Sequence, residues 1–349
     1  MRIAVDAMGG DHAPRVVVEG AVQAAGRFTD ADIVLVGDTT QLEACLREFP
    51  DTTGRIHIEH ADSVVSMSDS PVDALRRKGN TSIGRCAELA KAGQADAILS
   101  AGNTGAAVAA ATLAMRTLEG IRKPGIAAPF PTMAGNECVV IDVGANIKPK
   151  PEHLLDYGLM AAEYVSVITG KSNPSVGLMN VGAEDAKGNE LVKQTYALFK
   201  ASHLNFVGNV EGRDIFRGGV DAVVCDGFVG NVLLKVAEGV AEAVMGTLRS
   251  AISEKFIYRL GAALCKPALK KVRGELNSSA YGGAQLLGVN GICIIAHGSS
   301  DAEAIRNGIR VATKLARNHV NDRIVETVRK VKSTLARPAV TTQTDGTGS

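Results

Sequence analysis

Apolar residues fall into short unbroken runs separated by longer amphipathic stretches. Ten runs have strand character: Arg2–Asp6, Asp32–Val36, Arg55–His60, Ala95–Ser100, Gly125–Phe130, Glu137–Val143, Pro174–Asn180, Asn205–Val210, Ala222–Cys225 and Gly291–His297. Runs such as AVVC and ICIIA carry no polar residue, the pattern of a strand buried on both faces. Helical spacing predicts helices over Pro14–Ala25, Gln41–Glu48, Ser82–Ala92, Thr104–Met115, Pro151–Thr169, Asn189–Lys200, Gly230–Ala251 and Ala302 to about Lys332. This alternation predicts an α/β protein with a mostly parallel, doubly wound sheet, covered by helices on both faces.

One segment breaks the alternation. From Met245 to about Leu276 the pattern stays helical and becomes basic. Pro267 should divide it into two helices joined by Leu264, Cys265 and Lys266. Leu248, Ile252, Phe256, Leu260, Ala263 and Leu264 share one broad arc, interrupted by Arg249 and Arg259. Such an arm suits packing on the domain or on a second subunit. It also suits an apolar tip on an anionic membrane surface, flanked by Lys266, Lys270, Lys271 and Arg273. A docking face for an acidic protein could overlap it. Residues 337–349 are rich in Thr and Gly without apolar periodicity, and a disordered tail is expected there. The expected organisation is one α/β domain over 1–336, with the arm at about 245–276.

Composition narrows this picture. Hydrophobic residues make up 46% of the 349, but aromatics only 4%, so the core must be aliphatic. Formal net charge is +1, which gives no global pull towards nucleic acid. None of the six Cys forms a CxxC pair, so a zinc ribbon or redox dithiol is not expected. Scattered single Cys fit reduced thiols in the cytoplasm. The first residues read as a strand without a basic and apolar leader pattern, so no secretory leader is expected, and no long apolar run suggests a membrane span.

Ligands of open α/β sheets bind beyond the carboxyl ends of the strands. Seven predicted strand ends carry Gly beside small polar groups. They are Asp6 with Gly9, Gly10, Asp11 and His12; Gly102-Asn103-Thr104-Gly105; Gly144-Ala145-Asn146; Asn180 with Gly182, Glu184 and Lys187; Glu211-Gly212-Arg213; Asp226-Gly227 with Gly230 and Asn231; and His297-Gly298-Ser299-Ser300. All seven are expected on one rim, forming one polar site. Gly permits close backbone approach, and helix N-terminal amides can bind an anion. AGNTG is the best anion candidate, because Asn103 or Thr104 can cap while nearby amides bind oxygen.

Other motifs are missing. There is no G-x-G-x-x-G after the first strand, no Walker loop, no H-E-x-x-H and no G-x-S-x-G. His57 and His60 lie in a strand-like run and suit surface or packing roles. Cys225 ends a buried run without an adjacent His and suits a structural thiol.

Eight stretches together resemble the bacterial phosphate acyltransferase (PlsX) family of phospholipid synthesis. They are DAMGGDHAP, SMSDSPVDALRRKGNTSI, SAGNTGA, DVGAN, GLMNVGAEDAKGNEL, VEGRDI, CDGFVGN and AHGSSD, in order over nearly the whole chain. The resemblance implies a fold like phosphate acetyltransferases and isopropylmalate-type dehydrogenases, and a homodimer. It implies attack of inorganic phosphate on a long-chain acyl thioester of acyl carrier protein. The resulting acyl phosphate would pass to a membrane glycerol-3-phosphate acyltransferase. A thioester is already activated, so neither cofactor, metal nor covalent nucleophile is required.

Within those stretches, candidate roles follow. Gly102, Asn103, Thr104 and Gly105 would hold phosphate, with Gly9, Gly10, Asn146, Asn180, Asp226 and Gly230 completing the substrate site. Lys187 would supply a point charge. His12 or His297 would donate to the oxyanion or protonate the departing thiolate. Asp11 would orient that His or a phosphate hydroxyl, and Asn231 would donate to a carbonyl or phosphate oxygen. The expected location is cytoplasmic, with peripheral attachment to an anionic membrane through about 248–273. An NAD-dependent dehydrogenase of related fold and a non-enzymatic acyl- or phosphate-binding regulator are the alternatives.

Overall fold

The computed structural model describes residues 1–276 and 281–335; the expected tail lies outside the described residues. In chain order the elements begin β1 (Arg2–Asp6), α1 (Arg15–Arg27), β2 (Asp32–Gly37), α2 (Thr39–Glu48), β3 (Ile56–His60), α3 (Pro71–Arg77), α4 (Ser82–Lys91), β4 (Ala97–Ser100) and α5 (Thr104–Met115). Next come β5 (Gly125–Pro131), β6 (Glu137–Ile141), α6 (Pro151–Thr169), β7 (Ser175–Met179), α7 (Glu190–Ala201), β8 (Asn205–Val210), α8 (Gly212–Ile215) and β9 (Ala222–Val224). The chain continues with α9 (Gly227–Ser253), α10 (Phe256–Leu264), α11 (Lys266–Leu276), β10 (Ala284–Leu287), β11 (Ile292–Ile295), α12 (Ala302–Arg317) and α13 (Val320–Leu335).

All the predicted strands form, with small shifts at their ends. β10 was not foreseen: it has four residues, flanked by Gly282, Gly283 and Gly288 at positive φ. Such a stretch lacks the length and β-branched content that mark a strand. The last predicted helix is two. His319, at φ 49, turns the chain between α12 and α13. Pro14 is the N-cap residue of α1. The arm breaks at Cys265, as Pro267 predicts, and also at Glu254 and Lys255, between α9 and α10.

The strands form one sheet in the order β3-β2-β1-β4-β11-β10-β5-β6-β9-β7-β8. The pairs β2–β3, β1–β2, β1–β4, β4–β11, β6–β9, β7–β9 and β7–β8 are parallel. The mostly parallel sheet is therefore as expected. The single rim is not. The pairs β11–β10, β10–β5 and β5–β6 are antiparallel. Three reversals, an odd number, leave β6, β9, β7 and β8 pointing opposite to β3, β2, β1, β4 and β11. The glycine-rich strand ends are thus divided between two opposite edges.

Helices cover both faces. On one, α1, α2, α6, α7, α12 and α13 pack over Ile3, Val5, Ile33, Leu99, Ile141 and Val224. On the other, α3, α4, α5 and α9 pack over Ala4, Val34, Ile98, Val140 and Val223. Both layers are mainly aliphatic, in keeping with the composition, with Tyr157, Tyr164 and Phe199 buried in the first and Phe130 in the second. Burial of this apolar area, at about 25 cal/mol per Å2, is the main stabilising term.

Candidate functional site

Strands β1, β4 and β11 lie side by side and end together. The loops that follow them interlock through glycines. A Cβ on Gly9 would come within 2.8 Å of the Gly102 amide nitrogen. Gly10, at φ +112, lies against the carbonyls of Gly298 and Ala101. The Asp11 amide donates to the Gly298 carbonyl at 2.8 Å. Beneath this junction the buried Asp6 carboxylate accepts from Ser100 Oγ at 2.6 Å, and that oxygen accepts from the Gly102 amide at 3.1 Å. Burial pushes the Asp6 carboxyl up, opposed by hydrogen bonds from Ser100, Ser82 and nearby amides.

Asn103 caps α5, as its sequence position suggested: its Oδ1 accepts from the Ala106 amide at 3.0 Å. Its Nδ2 donates to the carbonyls of Ser66 and Met67 at 3.2 and 3.3 Å. This draws the SMSDSP stretch into the same cluster. Asp69 closes that loop, accepting from the Ser66 amide at 2.7 Å and Lys78 Nζ at 2.6 Å. The hydrogen bond from Lys78 holds the Asp69 carboxyl down at about 2. Gly105 has no room for a side chain, because a Cβ would lie 2.6 Å from Pro71 Cγ. With Asn103 committed to capping, the Thr104 hydroxyl and the first amides of α5 remain for an anion.

His297 stands exposed at this edge. Its Nδ1 accepts from the Ser299 amide at 3.3 Å and lies 2.8 Å from Ser299 Oγ. An amide can only donate, so the neutral ring carries its proton on Nε2 and presents an N–H donor. His12 is also exposed, but it lines neither cleft described below.

The second cluster lies at the opposite edge, after β6 and β9. Buried Asp142 accepts from the amides of Ile126 (3.0 Å), Gly144 (3.0 Å), Ala145 (2.8 Å) and Asn146 (2.7 Å). Burial pushes its carboxyl up and these amides pull it back. Asn146 Nδ2 donates to the Pro124 carbonyl at 2.6 Å, and the Asn146 carbonyl accepts from the Gly227 amide at 2.9 Å. Asp226 caps α9, accepting from the Phe228 and Val229 amides at 3.0 Å each. Gly230 packs on the Asp142 carbonyl, and Gly144, at φ +143, lies against Asn231. Cys225 is buried, its Sγ 3.6 Å from the Asp142 carbonyl, and burial pushes its thiol well above the ordinary range.

The two clusters meet across the face covered by α5 and α9. A cavity of about 160 Å3 is lined by Thr104, His297 and Ser300 from one edge, and by Val143 and Asn231 from the other. Lys235, Glu238 and Tyr281 complete its polar lining. A larger cleft of about 520 Å3 adjoins it, sharing Pro129, Leu234, Glu238, Tyr281 and His297. Asn180 and Lys187 belong elsewhere. Asn180 Nδ2 donates to the Lys187 carbonyl at 3.0 Å, closing the loop after β7, and neither residue lines these clefts.

Lys235 and Glu238 were not singled out from sequence. They follow Asn231 at i+4 and i+7 on α9, so the helical register from that one candidate would have reached them. Lys235 Nζ lies 2.8 Å from Glu238 Oε2. Tyr281 carries no comparable signal.

Asp142 generates a stability prediction. Asp142→Ala leaves four amides of the second cluster without their acceptor. The Ile126 amide is buried and the other three bonds are part-buried; a fully buried unpaired group costs about 1–3 kcal/mol, so a total loss of at least about 2 kcal/mol is expected in urea unfolding. A change below about 1 kcal/mol would show that this carboxylate does not hold the loop.

Residues 1–323 match the family model described as fatty acid synthesis protein. A phosphate acyltransferase of Geobacillus thermodenitrificans is 47% identical over 320 residues, 92% of this chain and 96% of the relative. A phosphate acyltransferase of Thermodesulfovibrio yellowstonii is 44% identical over 332 residues, 95% of each chain. Among solved structures, a phosphotransacetylase from Streptococcus pyogenes superimposes with a TM-score of 0.59 at 16% identity, covering 91% of this chain and 94% of that one. At that identity the match speaks for the fold. The family model and the full-length relatives place the chain in the phosphate acyltransferase family of fatty acid synthesis proteins.

Proposed function

We propose that this protein transfers a long-chain acyl group from acyl carrier protein to inorganic phosphate, releasing acyl phosphate and the free carrier thiol. The observation that supports it most is one cavity that gathers a helix N-terminus, a histidine N–H and an asparagine side chain. The name shared by the relatives agrees with this reading.

Phosphate sits at the N-terminus of α5, held by the Thr104 hydroxyl and the first helix amides. Each hydrogen bond to a charged oxygen contributes about 1.5–3 kcal/mol. Lys235 supplies the positive charge within the cavity, the part first given to Lys187. A phosphate oxygen attacks the thioester carbonyl carbon. The carbonyl oxygen becomes an oxyanion, which accepts from His297 Nε2–H and the Asn231 amide across the cavity. One such donor contributes about 2.7–4 kcal/mol to the transition state. The C–S bond then breaks and the carbonyl reforms. The thiol leaves with a pKa near about 8.5, so little proton assistance is required. Asp11, Asn103, Asn146, Asp226 and the glycines act by fixing the two loop clusters. The product passes to a membrane glycerol-3-phosphate acyltransferase in phospholipid synthesis.

Two surfaces fit the expected assembly and location. Val232, Val236, Val240 and Val244 stand at four-residue intervals along α9, all about half exposed, at 47%, 58%, 57% and 56%. An unpartnered apolar stripe of this length suits a second copy of the chain. The arm exposes Phe256, Ile257, Leu260 and Leu264 on α10, with Lys266 and Lys270 beside them. The side chains of Lys271 and Arg273 lie outside the described residues. Among the described residues no helix is long and apolar enough to cross a membrane. The arm therefore suits attachment to an anionic surface through its tip.

Purified protein mixed with palmitoyl-acyl carrier protein and phosphate should give a product trapped by hydroxylamine. His297→Gln should lower kcat at least about a hundredfold. No trapped product from the wild-type protein would overturn the reaction, and full activity of the variant would remove His297 from it. For the assembly, Val236→Glu with Val240→Glu should convert a dimer to a monomer in light scattering; an unchanged mass would move the interface elsewhere. For the arm, Leu260→Glu with Leu264→Glu should abolish co-sedimentation with vesicles containing phosphatidylglycerol. Retained binding would sink the membrane assignment.

A further inference from the structure

The larger cleft has a use that the phosphate chemistry leaves open. We propose that it is the channel for the acyl chain, and that Ala237 and Ala241 on α9 set its width. This rests on the transfer reaction above, because the chain must start at the carbonyl carbon beside His297.

Three observations carry it. The cleft is continuous with the catalytic cavity, since His297, Tyr281, Leu234 and Pro129 line both. A thioester whose carbonyl faces His297 therefore has an opening ready for its chain. The walls are mostly apolar and firm on one side. Phe130 and Phe216 pack edge to face there, with ring centroids 6.0 Å apart at 79°. The helix wall opposite is kept thin. α9 turns half-buried Leu234, Ala237 and Ala241 towards the cleft and its larger valines towards solvent. Alanines at i and i+4 form a trough along the helix.

The dimensions agree. The cleft holds about 520 Å3, within the range of about 300–1,000 Å3 typical of small-molecule sites. Leu234 to Ala241 spans about 10 Å along the helix. Beyond Ala241 the lining continues to Val272 on α11, so the channel runs out towards the arm. The two carboxylates on its lining do not block it. Glu238 is held by Lys235 at 2.8 Å, and Glu242 is exposed. Each methylene buried in such a channel tightens binding about fourfold. Chain-length preference is then a matter of how far the trough stays open.

The test compares hexanoyl, dodecanoyl and palmitoyl thioesters of carrier protein with wild-type enzyme and Ala241→Trp. The palmitoyl-to-hexanoyl ratio of kcat/KM should fall at least about tenfold in the variant. An unchanged ratio overturns the channel. So does a variant that alters only the subunit state, which would make the cleft part of a subunit contact. Should Ala241→Trp fail to fold by circular dichroism, Ala237→Leu and photolabelling of the wild-type protein decide. A palmitoyl thioester with a terminal diazirine should label α9 or the Phe216 region, and labelling elsewhere overturns the assignment. If no thioester yields acyl phosphate, the reaction itself is wrong, and the photolabel still judges the channel.

Discussion

The structure depends on an odd number of antiparallel pairings at the centre of its sheet. A wholly parallel sheet presents all its strand ends on one edge. Here β10 and β5 intervene between two parallel groups, and the second group runs in reverse. Polar loops therefore form at both edges. They still reach one cavity because its lining runs along the strands between them, through Ala284 of β10 and Ile126, Ala128 and Pro129 of β5.

Loops at such edges must satisfy their own backbone before they can serve a ligand. This accounts for the large share of motif residues that act as framework. Asp142 gathers four amides, Asp226 and Asn103 cap helices, and Asn146 ties its loop to Pro124. A helix cap contributes about 0.5–2 kcal/mol and a buried amide left unpaired costs about 1–3 kcal/mol, so these side chains are committed to the framework. What lines the cavity is smaller: Thr104 at the start of α5, His297, Asn231 and the cleft face of α9. The glycines follow the same logic. Gly9 and Gly102 let two loop backbones touch, and Gly105 yields its space to Pro71.

Helix α9 links these parts. Its N-terminus is anchored by Asp226 in the second cluster. Its middle has two unlike faces, small residues and a Lys–Glu pair towards the cleft and valines towards solvent. Its far end leads into α10 and α11, where Phe256, Ile257, Leu260 and Leu264 are exposed. A single amphipathic element thus joins the cavity, the apolar stripe and the arm. Small and large apolar residues on opposite sides of one helix produce this division without any special motif.

Much of this was legible in the chain itself. Strand and helix positions follow from periodicity, because burial on one or both faces imposes it locally. The caps at Asn103 and the break at Pro267 follow from short-range backbone chemistry. The ordered motifs named the family. The direction of the second half of the sheet was not legible, and one rim was expected where there are two. Strand direction depends on which segments pair and how: the two antiparallel pairings of β10 cancel, and the antiparallel β5–β6 pair turns the second half of the sheet over. The division of polar residues into framework and cavity was hidden for the same reason. Asn103, Asn146 and Asn231 look alike in sequence, and Lys187 looks as suitable as Lys235. Only the packing of one edge against the other decides which of them face the cavity, because that choice is made by contacts far apart in the chain.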